Sequence, residues 1–281
     1  MESKLTRLVN AISILMVGIS VFGCSKEKVL VDLSSVQDKA KVTEVATRIS
    51  SSEASSTYDQ GINHHQRGNL DKAITRYRET INADPKHAGA YLNLGTIYYN
   101  QGKFNHAIMS YKKAILINPD YVEAYLNLGA VYRTQGNYED AIEEYKEAVR
   151  IDPNFAETHN SLGIVYEQQG NYEDAIGEYK EAIRIDPDDA MAHYNLGDIY
   201  YKQGDTDQAI FQFKEVVRIN PQDAEIHNIL ACLYSVSHQE SLAIESLQDA
   251  IQLDRKFRES AKTNVLFSDI RKSSKFQELI K

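Results

Sequence analysis

Residues 122–155 read VEAYLNLGAVYRTQGNYEDAIEEYKEAVRIDPNF, and residues 156–189 read AETHNSLGIVYEQQGNYEDAIGEYKEAIRIDPDD. The second stretch restates the first 34 residues later, and the same beat runs outward on both sides. All five prolines keep it: Pro85, Pro119, Pro153, Pro187 and Pro221. Proline lacks a backbone donor and its ring clashes inside a helix, so each one marks a helix end. Gly61, Gly95, Gly129, Gly163 and Gly197 form a second column, and Gly68, Gly102, Gly136, Gly170 and Gly204 a third. Alanine recurs from Ala73 to Ala243, and a bulky column runs Tyr77, Tyr111, Tyr145, Tyr179, Phe213, Leu247. Aligned on the prolines, the units fall at 54–87, 88–121, 122–155, 156–189, 190–223 and 224–257. A period of this length is one supersecondary unit, and such units stack into solenoids.

Within 122–155, Ala124, Leu128, Val131 and Tyr132 recur at helical spacing and predict a first amphipathic helix. Gly136 ends it, because glycine takes a left-handed backbone without steric cost. Asn137 is placed to cap the second helix, which buries Tyr138, Ala141, Ile142, Tyr145, Ala148 and Val149 and stops before Pro153. Gly129 and Ala141 are expected to be small because two helix backbones approach there. Tyr125 and Tyr132 are expected to fill the gaps between neighbouring helices.

The series Tyr125, Leu128, Gly129, Tyr132, Ala141, Tyr145, Ala148, Pro153 resembles the tetratricopeptide repeat at every signature position. The resemblance spans 54–257 and is strongest in units two to four. Unit one departs at Thr57, Gln60, His64 and Thr80; unit six has Ala231, His238 and Arg255 in place of two glycines and a proline. Terminal units face water on one side, so degeneracy is expected there. The resemblance implies an all-α solenoid of six helical hairpins in a right-handed superhelix. A capping segment over 258–281, carrying Val265, Leu266, Phe267, Ile270, Phe276, Leu279 and Ile280, is expected to close its last face.

At the other end, Lys4 and Arg7 precede an apolar run from Leu8 to Phe22. That is the pattern of an export signal, too short for a span of about 20 apolar residues. Gly23-Cys24 resembles a bacterial lipobox, which implies a signal over 1–23 and lipidation of Cys24. Phe22 stands where the motif usually has a small or branched residue, and an uncleaved anchor is the alternative. Ser25 rather than aspartate favours the outer membrane under the sorting rule that the resemblance implies. The 24–53 tether, with Val29, Leu33, Val36, Val45 and Ile49, can be coil or helix; as coil it reaches on the order of 30 Å. Cys232, the other cysteine, reads as a packing residue, so no disulfide framework is expected.

The net charge is −9, but the units carry 18 Lys/Arg against 31 Asp/Glu, a net of −13. Such a surface repels phosphate backbones and argues against nucleic acid. No phosphate loop, dinucleotide glycine motif, nucleophile elbow or paired metal-ligand spacing occurs. His159, His193 and His227 recur in the column of Tyr91 and Tyr125 and read as packing residues. Equivalent positions on stacked helices lie about 8–10 Å apart, too far for one zinc. Neither catalysis, cofactor nor metal is expected.

In the family the first helices line a concave wall that holds an extended peptide or a helix. Asn93, Asn127 and Asn195 share one column there, with Ser161 between the last two. This resembles the asparagine ladder of O-linked N-acetylglucosamine transferases, which implies contact with a peptide main chain. Leu92, Thr96, Tyr99, Leu126, Ala130, Arg133, Tyr194, Asp198, Tyr201 and Lys202 are the further candidates. A clamp for a terminal carboxylate is not evident, since Arg133 and Lys202 lie two units apart. The expected function is a non-catalytic adaptor on an envelope membrane, similar to the tetratricopeptide lipoproteins of pilus secretins, cell-wall hydrolases or polysaccharide export. An accessory subunit of a separately encoded enzyme such as a glycosyltransferase, or an unexported binder, are the alternatives.

Overall fold

A computed structural model describes residues 52–281; the expected signal, Cys24 and nearly all of the tether lie outside the described residues. Helix α1 occupies 52–66. Then follow α2 (Leu70–Ala83), α3 (Ala88–Asn100), α4 (Phe104–Ile117), α5 (Val122–Thr134), α6 (Tyr138–Ile151), α7 (Ala156–Gln168) and α8 (Tyr172–Ile185). The array ends with α9 (Ala190–Gln203), α10 (Thr206–Ile219), α11 (Ala224–Val236) and α12 (Glu240–Leu253). A cap of α13 (Lys256–Thr263), a 3-10 turn (Val265–Phe267) and α14 (Ser274–Leu279) completes it. The odd-numbered helices up to α11 open the six units and the even-numbered ones close them. The described residues contain no strand.

Units one to five each turn on a glycine. Gly136 has φ +77°, its N–H bonds to the Arg133 carbonyl at 3.0 Å, and the Asn137 N–H reaches back to Tyr132 at 2.9 Å. These paired bonds satisfy carbonyls that the helix end leaves open. In unit six His238 takes the same left-handed turn at φ 60° without being glycine. Asn137 sits at the start of α6, but its side chain makes no capping bond. Glu139 and Asp140 in the first turn meet the open N–H groups electrostatically instead. Side-chain caps occur at other helix starts: His87 accepts from Ala90, Asp189 from Met191 and Ala192, Asp205 from Gln208, and Ser273 from Phe276.

The small residues pack differently from expectation. A Cβ on Gly129 would lie 2.6 Å from the Tyr145 ring, so the column accommodates a side chain rather than a neighbouring backbone. The same lock joins Gly61 to Tyr77, Gly95 to Tyr111 and Gly163 to Tyr179. These four tyrosines are almost wholly buried. Tyr132, Tyr166 and Tyr200 are partly buried and each packs into two successive core clusters, joining one unit to the next. Lysines from the second helix of the preceding unit lie over them, Lys112 at 5.6 Å from the Tyr132 centroid and Lys180 at 5.9 Å from Tyr200. The cap buries Phe257, Phe267, Ile270 and Phe276 in the cluster that holds α11 and α12. Val265, expected among its apolar residues, is instead 76% exposed.

Candidate functional site

Successive first helices α3, α5, α7 and α9 touch one another, whereas each second helix packs chiefly on the first helices beside it. The array therefore bends with its first helices inward, and their free faces form the inner wall. Leu92, Asn93, Thr96 and Tyr99 come from α3; Leu126, Asn127, Ala130 and Arg133 from α5. Ser161 lies on α7, and Tyr194, Asn195, Asp198, Tyr201 and Lys202 on α9. Tyr194, Tyr201 and Lys202 are exposed and most of the others half-buried. Leu126 is the exception. It is 6% exposed and packs with Tyr145, Leu162 and Val165, so it belongs to the core and not to the wall.

The asparagine column does more than line a surface. Asn93 donates to the Tyr58 hydroxyl at 3.0 Å, and Asn195 donates to the Asn160 amide oxygen at 3.1 Å. Both reach the preceding first helix, 35 residues back. These bonds use an N–H of each amide and leave its carbonyl oxygen as an acceptor for a partner. At the same register before Asn127 and Ser161 stand Leu92 and Leu126, which offer no hydrogen bond. Tyr99 and Thr134 are joined across that interval at 3.0 Å, and Lys202 reaches Glu167 at 2.7 Å. Lys202 also meets Asp198 at 2.6 Å, and these carboxylates hold its ammonium above the usual lysine range. Glu167 accepts a further bond from the Tyr179 hydroxyl at 3.0 Å.

Glu167 was missed in the sequence, although it stands in the column of Tyr99, Arg133 and Tyr201 and could have been found there. Asn160 and Tyr58 were missed because their role depends on a 35-residue offset, one more than the repeat. Ile229 and Val236 on α11 line a recess with Tyr194 and Tyr201 at the C-terminal end of the wall, and Leu266 joins them there because the cap folds back.

The recurrent histidines are structural. His159 bonds the Pro153 carbonyl and, through Nδ1, Glu178 at 2.7 Å. His193 bonds the Pro187 carbonyl and Gln212, and His227 the Pro221 carbonyl. Each pins a first helix to the loop before it. The hydrogen bond to Glu178 raises the His159 pKa above its ordinary value. Among the described residues no group of three His, Cys, Asp or Glu could hold a metal, and no helix is long and apolar enough to cross a membrane.

Residues 25–265 match the family described as the cilia and flagella-associated protein 70 C-terminal domain, a tetratricopeptide-repeat family. The chain belongs to this family. The tetratricopeptide array is similar to the solved structure of MamA, at 30% identity and a TM-score of 0.53 over 59% of this chain and 96% of that one. Pseudomonas aeruginosa PilF shares the fold at a TM-score of 0.66 and 18% identity, over 79% of this chain and 98% of that one. YrrB, described as a tetratricopeptide protein with an unusual peptide-binding site, matches 70% of this chain and 97% of its own, at 21% identity and a TM-score of 0.53. No curated protein matches the chain by sequence. The tetratricopeptide array is a protein-interaction scaffold.

Proposed function

We propose that this scaffold is a non-catalytic adaptor, tethered to a bacterial envelope membrane through Cys24, that gathers partner proteins by holding a peptide or helix along its inner wall. The observation that carries the reading is the state of that wall. Tyr194 and Tyr201 stay exposed, while Asn93 and Asn195 use N–H groups on the preceding helix and keep carbonyl oxygens free. Aromatic rings offer large contact area at low entropic cost, and amide oxygens bind a main chain whatever its side chains. The tether rests on the sequence alone: Lys4 and Arg7, the apolar run to Phe22, and Gly23-Cys24. Ser25 after the cysteine favours the outer membrane. Assembly of a pilus secretin, a cell-wall hydrolase or a polysaccharide exporter fits such an adaptor.

Photocrosslinking residues placed in cells at positions 92, 127 and 194 should capture a partner, and one at the outward Glu143 should not. Capture from 143 alone would move the interface to the outer helices. In the membrane fraction, mass spectrometry should find a chain beginning at diacylglyceryl-modified Cys24. A chain still carrying Met1 would remove the lipid anchor.

A further inference from the structure

At its C-terminal end the inner wall opens into a recess of about 280 Å³ between α9, α11 and the cap. Tyr194 and Tyr201 form one side, Ile229 and Val236 the other, and Leu266 closes the end. Tyr194, Tyr201 and Val236 remain 36%, 46% and 40% exposed. The Tyr194 ring is held against Phe213, tilted 70° with centroids 5.7 Å apart, so one side of the recess is fixed in advance. Apolar surface kept open on a solvated scaffold gains by being covered. Asn228 also lines the recess, and its amide oxygen is shielded with no hydrogen-bond partner among the described residues. A shielded acceptor calls for a donor.

The rim has a sign. Asp198 lines the recess, Asp223 and Glu225 stand at the start of α11, and after burial the charges of Asp198 and Glu225 raise the Tyr194 pKa. Lys202 is already shared by Asp198 and Glu167. We propose that this recess anchors a segment of a separate protein in which a bulky apolar side chain stands beside lysine or arginine. The apolar side chain enters between Tyr201 and Val236, an N–H of the segment meets the Asn228 oxygen, and the cation meets the carboxylates at the rim. This deepens the inner-wall reading and rests on it.

The test uses the purified full chain and three fluorescein-labelled peptides. One carries the core Lys-Lys-Phe-Leu-Lys-Lys, one has glutamate for every lysine, and one has alanine for Phe-Leu. Polarisation should show the first binding about tenfold more tightly than either control, with binding that weakens as salt is added. Val236→Gln and Glu225→Lys should each weaken it by about fivefold, with helicity by circular dichroism unchanged. Equal binding of the glutamate or alanine peptide, indifference to both variants, or no binding at all would overturn the proposal. So would concentration-dependent self-association in sedimentation that Val236→Gln abolishes, since the occupant would then be a second copy. If crosslinks from 92, 127 and 194 persist while the peptides fail, the inner-wall reading stands and this inference alone falls. If the peptides bind but crosslinks come only from 143, the inner-wall reading is the one lost.

Discussion

Units three and six carry the same helical hairpin on different pairs of residues. In unit three Gly129 makes room for the Tyr145 ring, so close that one added methyl would lie 2.6 Å from it. In unit six the same two places hold Ala231 and Leu247, both buried. Unit five lies between them: opposite Gly197 the ring is Phe213, and a methyl added there would stand 3.2 Å from its nearest atom. The columns thus trade volume with each other, and what the fold keeps is the filled space across the hairpin rather than either residue type. Unit six also lacks a following unit, and the cap supplies Phe257, Phe267 and Phe276 to the cluster that contains Leu247.

The largest expected effect breaks the tight lock. Gly129→Leu should destabilise the array by about 3 kcal/mol or more, seen as a lower urea or thermal midpoint. The sharper version is a cycle. Gly129→Ala and Tyr145→Leu should each destabilise, and the double variant, which copies unit six, should cost about 1–3 kcal/mol less than their sum. Additive costs would mean that the two columns are independent.

A smaller effect separates the two turns. Gly136→His should cost about 1–2 kcal/mol, because a side chain in the left-handed region meets the next carbonyl. His238→Gly should gain about 0.5–1 kcal/mol, less because glycine has more freedom to lose on folding. A loss on His238→Gly would show that the His238 side chain, 3.2 Å from Asp269, matters more than its backbone.

The smallest effect distinguishes His159, paired with Glu178, from His193, paired with uncharged Gln212. The His159 pKa is raised in the folded chain, so its pairing stabilises fully below the ordinary value of 6.5 and is lost as pH rises through the folded value. Glu178→Gln should therefore destabilise more at about pH 5 than at about pH 8 in urea titrations. An equal cost at both would mean that the pair contributes as a neutral hydrogen bond.

Much of the fold was legible because its special residues obey backbone rules. Gly136 at φ +77° and the helix ends before Pro119, Pro153 and Pro187 follow from local chemistry that needs no neighbour. The inner wall was legible only in outline. Its column positions were readable from α3, α5 and α9, but Leu126 sits in the core because α5 turns that side toward α7. The partners of Asn93 and Asn195 were hidden, since adjacent first helices are offset by one residue more than the period. Val265 and Leu266 looked alike in the sequence, yet the cap leaves the first exposed and aims the second at the recess.

Read from its residues alone, the chain specifies an all-helical array of repeated hairpins and the way the backbone turns in units one to five, because proline and glycine act through steric limits on their own residues. Helix packing alone settles that Gly129 faces a ring, that amide N–H groups of Asn93 and Asn195 are spent on the helix before, and that a recess opens where the array meets its cap. Those depend on how separate helices lean on one another, and side-chain contact over tens of residues leaves no mark on a local pattern.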